Sequence, residues 1–111
     1  MNAKQKQMII NQAMQKVRAN SRGRKYINAV CLSGGNTWLH ELGKTRECYN
    51  LAKQGIDFAT EVIFENGQRA DILVLDPENI HVIEILCTET QERLDAKNYP
   101  FPIIAKRIKT K

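Results

Sequence analysis

Two acids stand inside apolar, strand-like runs. Asp71 opens Asp71-Ile72-Leu73-Val74-Leu75, and Glu84 lies within Ile80-His81-Val82-Ile83-Glu84-Ile85-Leu86. A carboxylate in such a run is costly to bury unless a partner or a cation compensates it. Adjacent strands lie about 4.8 Å apart, so acids on neighbouring strands can share one hard cation. A cation held there polarises a phosphodiester and activates water for in-line attack. The alternative is that each acid points outward from a half-exposed strand. Spacing alone leaves the two readings level.

The other reactive side chains point less far. Cys31, Cys48 and Cys87 form no CxxC pair, and with His40 and His81 they match no zinc-finger spacing, so they read as buried structural thiols. Trp38 and Tyr49 are able to stack on bases, but their helical spacing reads as core. His40 reads as a surface or capping histidine rather than a general base. Gly34-Gly35-Asn36 lacks the Lys-Ser/Thr of a phosphate loop and reads as a turn.

The elements that must position the acids follow from hydrophobic period. Ile10, Ala13, Met14 and Val17 recur at helical spacing, so a helix is expected over 3–19. Residues 26–32 form a short apolar run, either a strand or an irregular packed segment. A second helix is expected from about Thr37 to Gln54, capped by Gly55, with Trp38, Leu42, Tyr49 and Ala52 on one side and His40, Lys44, Glu47 and Leu51 on a neighbouring stripe. Gly43 inside it leaves open a start near Thr45. From Ile56 the period becomes two. Phe58–Phe64 and Arg69–Leu75 read as strands joined at Asn66-Gly67, and Ile80–Cys87 as a buried third strand. Thr88 then caps a helix over 89–97, and 101–108 reads as a last strand.

On these residues the stretch from Lys44 through Ile108 resembles the PD-(D/E)xK nuclease superfamily, the restriction-endonuclease-like fold. The matching pieces are Glu47 on the helix, Glu61 on the first strand, Gln68-Arg69-Ala70-Asp71 after the hairpin, and Glu84-Ile85-Leu86. The run Glu84-Ile85-Leu86-Cys87-Thr88-Glu89-Thr90, followed by Lys97 and Tyr99-Pro100, is most similar to the competence-associated nuclease-like branch. The resemblance implies an α/β fold with an α-β-β-β-α-β core, a mixed sheet and, here, an extra N-terminal helix. It implies a Mg2+ or Mn2+ ion between Asp71 and Glu84, helped by the Ile85 carbonyl, with Glu47 or Glu61 as an outer ligand. The superfamily's lysine falls at Leu86, so the resemblance implies a substitute. Lys97 on the following helix and Lys44, one turn before Glu47, are the candidates, and Lys44 is preferred because it faces the same way as Glu47.

Charge is divided along the chain. Residues 1–25 hold seven bases and no acid, and the last six hold four bases and no acid. The ends thus carry +11 and the middle −6, for a net +5. A basic wrapping around an acidic middle suits a polyanion, with Lys16, Arg18, Arg22, Arg24, Lys25 and Arg69 as expected nucleic-acid contacts. The expected organisation is a basic helix and arm over 1–25 and a nuclease-like domain over 26–111. No apolar run approaches the ~18 residues of a membrane span, and no secretory h-region is seen, so a cytoplasmic location is expected. The leading function is a metal-dependent nuclease acting on nucleic acid, DNA first, with a homodimer as its route to two strands. A non-catalytic nucleic-acid-binding module on the same fold is the alternative, followed by a purely structural or protein-interaction domain.

Overall fold

The computed structural model describes residues 1–21, 23–87, 93 and 95–107. Its described residues form an α/β fold in which two helices pack on a five-stranded mixed sheet. Helix α1 (Ala3–Met14) opens with a capping box, in which Asn2 accepts from the Gln5 N–H and the Gln5 side chain accepts from the Asn2 N–H. The chain does not stay helical to residue 19. It turns at Gln15 and Lys16 into strand β1 (Val17–Ala19), where Val17 and Ala19 are buried and Arg18 is exposed. Val17 satisfies either period, and pairing of β1 with β2 decides for the strand.

Helix α2 (Trp38–Lys53) starts on Thr37, whose side chain accepts from the His40 N–H, and carries Gly43 inside it. Gly55 follows its C-terminus with φ +72°, a left-handed stop that suits glycine. Strands β2 (Asp57–Phe64), β3 (Arg69–Asp76) and β4 (Asn79–Leu86) form an antiparallel meander, and β5 (Ile103–Arg107) adds parallel to β4. The sheet order is β1-β2-β3-β4-β5. The expected helix over 89–97 lies largely outside the described residues, within which Arg93 and Asp95 have helical backbone. Residues 26–32 are neither helix nor strand. They are tied to β2 by Asn28 and by Thr60, which accepts from the Cys31 N–H and donates to the Ala29 carbonyl.

Two cores lie on opposite faces of the sheet. Ile10, Ala13 and Met14 of α1 pack with Ala59, Val62, Ala70 and Leu73 on one face. Cys48 and Leu51 of α2 pack with Phe58, Ile72, Val74, Ile83 and Ile85 on the other. Helix α1 and strand β1 of the basic N-terminal stretch are therefore built into the core and the sheet.

Alternation along two strands is interrupted. Ala59 and Val62, and likewise Ala70 and Leu73, share a core although they are three residues apart. A strict period of two would put them on opposite faces. The irregularity falls at Glu61, which has φ +50°, and at Asp71 on the neighbouring strand. Both acids are thereby freed from the side that strand parity would assign them.

Candidate functional site

The β3–β4 register runs from Asp76 with Asn79 to Ile72 with Ile83. Past that point carboxylates replace carbonyls as the acceptors. The Asp71 N–H donates to Glu84 Oε2 at 3.0 Å, and the Ile85 N–H donates to Asp71 Oδ2 at 2.8 Å. Each acid is thus fixed by the other strand's main chain. Both line a cavity of about 220 Å3 together with Ser33, Asn36, His40, Glu61, Arg69, Ile85, Leu86, Arg93 and Lys97.

Electrostatics in this cavity are strained. Burial, then the charge of Glu84 and a hydrogen bond with it, push the Asp71 carboxyl up to about 8. The Tyr99 hydroxyl lies 2.6 Å from the Arg69 carbonyl and against Glu84 Oε1; burial and Glu84 hold it protonated, well above the ordinary phenol range. Lys97 Nζ stands 3.2 Å from Glu84 Oε1, and its side chain is 40% exposed.

Helix α2 brings a polar face to the sheet, which hydrophobic ranking did not anticipate. Its buried residues are His40, Lys44, Cys48 and Leu51, while Trp38, Leu42 and Tyr49 face solvent. Trp38 and Tyr49 are therefore not core residues. The reason is compensation by the sheet and the 33–36 turn. Lys44 Nζ, fully buried, contacts Glu41 Oε2 at 2.9 Å, Glu61 Oε1 at 3.5 Å and the Cys31 carbonyl at 2.6 Å. Asn36 donates to both Glu41 and Glu61. Burial alone would raise Glu41, but hydrogen bonds from Asn36 and Lys44 outweigh it and hold that carboxyl below its ordinary range.

Contrary to the surface or capping position expected from the sequence, His40 is buried. Its Nε2 lies 3.1 Å from Asp71 Oδ1, and its Nδ1 lies 3.5 Å from Glu41 Oε1 without a hydrogen-bond partner among the described residues. Sequence reasoning missed His40, Glu41, Asn36 and Tyr99. The available signal was the i, i+1, i+4 run His40-Glu41-Lys44, a polar set clustered on one turn that needs opposite charges on whatever it faces.

The remaining candidates fall in different places. Glu61 and Arg69 line the cavity. Glu47 does not: it sits half-buried about 4.5 Å beyond Lys44 along α2, beside the Cys48 thiol. Lys44 is held in its ion cluster with Glu41 and Glu61, and Lys97, not Lys44, is among the cavity-lining residues. Leu86 is buried at the cavity wall. Arg18 donates to the Glu65 carbonyl, Lys25 donates to the Met14 carbonyl at the end of α1, and Lys16 lines a different cavity. Arg24 is exposed, and Arg22 lies outside the described residues.

The chemistry of the donor set suits a hard divalent ion. Two opposed carboxylates whose repulsion retains a proton gain most from a cation between them. Among the described residues no three His, Cys, Asp or Glu side chains form a ready-made chelate. Mg2+ does not need one, being held through one or two carboxylates and water. No described helix is long and apolar enough to cross a membrane. No family model matches the chain, and neither do any curated protein or solved structure.

Proposed function

We propose that the chain is a divalent-metal-dependent phosphodiesterase acting on nucleic acid, built on a diverged PD-(D/E)xK core. The observation that carries this reading is the reciprocal pair: Asp71 and Glu84 each bond the opposite strand's main chain and present coupled carboxylates to one cavity. The order α2-β2-β3-β4, with a crossover from Cys87 to Pro102 into parallel β5, supports the α-β-β-β-α-β reading.

Asp71, Glu84 and the Ile85 carbonyl are the groups that would hold Mg2+ or Mn2+, with the His40 imidazole 3.1 Å from Asp71 to orient that carboxylate. The bound ion supplies phosphoryl polarisation and an acidified water. The chain's own residues do the rest. Lys97 places an ammonium at the cavity mouth, where charge on the phosphoryl oxygens is stabilised. Tyr99 orients Glu84, and Glu41 stays ionised behind His40. Lys44 and Glu61 hold α2 against β2.

The test is cleavage of labelled single-stranded and duplex DNA with Mg2+ or Mn2+, alongside calorimetric Mn2+ binding. Asp71→Asn and Glu84→Gln are each expected to lower the rate at least ~100-fold and to weaken Mn2+ binding. The buried Leu86 at the lysine position favours the second reading, a non-catalytic nucleic-acid-binding module. DNA binding without metal-dependent cleavage would establish that alternative.

A further inference from the structure

The solvent face of α2 is unlike that of an ordinary surface helix. Trp38 is 75% exposed, Tyr49 62% and Leu42 38%. At ~100° per residue these three share an arc of about 100° with Thr45, Arg46 and Lys53, all exposed. That arc holds two aromatics and two cations, and no acid. Lys53 Nζ sits 5.6 Å from the Tyr49 ring centroid, so a cation and an aromatic face are offered from adjacent positions.

We infer that this face is a track for an unpaired strand of nucleic acid, an inference that rests on the nucleic-acid reading above. Rows of aromatics with interleaved cations bind single strands because every unpaired base offers a stacking face and every phosphate a charge. A duplex hides its base faces in its own stack, so the same row discriminates against it. Trp38 lies two residues from both Asn36 and His40, which line the cavity, but its side chain is on the solvent side of the helix, about 160° from that of the buried His40. Trp38 and Tyr49 are eleven residues apart, about 16 Å along the helix, which is room for several nucleotides. A second copy of the chain is the competing occupant. An isologous contact would bring two copies of this acid-free, cationic face together, and like charges oppose it.

Trp38 is the sole tryptophan, so its emission reports on this one position. The experiment titrates the full chain, in EDTA, with a short oligothymidylate and with a blunt duplex of equal length. The expected result is quenching of Trp38 by the single strand, with at least ~10-fold tighter binding than the duplex. Anisotropy of a labelled oligothymidylate is expected to show ~10-fold weaker binding by Trp38→Ala and near-normal binding by Trp38→Phe. Circular dichroism confirms that both variants are folded. Equal quenching by duplex, no quenching at all, or emission that shifts with protein concentration alone would each overturn the track, the last in favour of self-association. Because the readout contains no metal, its failure beside intact Asp71-dependent cleavage removes only the track. Quenching without any metal-dependent cleavage removes only the catalytic reading.

Discussion

Lys44 and Lys97 have the same side chain and opposite jobs, and burial separates them. Lys44 is enclosed with Glu41 and Glu61, whereas Lys97 reaches Glu84 from a 40% exposed position. Lys44→Ala leaves two buried carboxylates without their cation and is expected to cost about 3–5 kcal/mol, read as a lowered urea midpoint. Lys97→Ala should change stability by no more than ~0.5 kcal/mol and lower cleavage about 100-fold. A stable but inactive Lys44→Ala would reverse that assignment. Asp71 adds a pH signature in metal-free buffer. It holds its proton more tightly folded than unfolded, since its carboxyl is raised from 3.8 to about 8. The stability it contributes is therefore complete below 3.8, declines as pH rises, and is gone by about 8. Asp71→Asn should flatten that decline, measured as urea midpoints at intervals across this window. A wild-type midpoint no more pH-dependent than the variant's would refute the coupled pair.

Helix α1 and strand β1 belong to the folding unit, because Ile10, Ala13, Met14 and Val17 are buried in the main core. Removing residues 1–19 is expected to abolish cooperative thermal unfolding, since each large buried apolar side chain lost costs about 2–5 kcal/mol. A sharp transition in the truncated chain, followed by near-ultraviolet circular dichroism, would contradict this. What the sequence made legible at this scale was local. The Asn66-Gly67 hairpin has Gly67 at φ +86°, and Gly55 ends α2 at φ +72°, because those conformations depend on the residues that adopt them. The Asp71–Glu84 juxtaposition was not legible from spacing, which left an outward-facing reading level with it; only the resemblance favoured it. What was hidden depends on distant partners. The polar face of α2 turns inward because Glu61 and Asp71 await it, and those acids are available because alternation breaks at both of them. No single element's period contains that information.

Across the whole molecule the helices lie on opposite faces of the sheet, so their charges should be separable in solution. Replacing Arg46 and Lys53 on α2 by alanine should lower the slope of log K against log salt for a single strand by about 1.4. The same change at Lys4 and Lys6 on α1 should leave it unaltered. Equal losses from both pairs would mean diffuse attraction instead of a defined face. The sheet order also dictates a sequence of events in time. Strands β2 to β4 are joined by tight turns and can zip on a microsecond scale, whereas β5 pairs with β4 only after the chain has returned across residues 87–102. Lys97 and Tyr99 lie on that late-returning segment. A half-assembled chain thus carries its acid pair without the Lys97 ammonium or the Tyr99 hydroxyl beside it, and the proposed cation site is complete only once the last strand has paired.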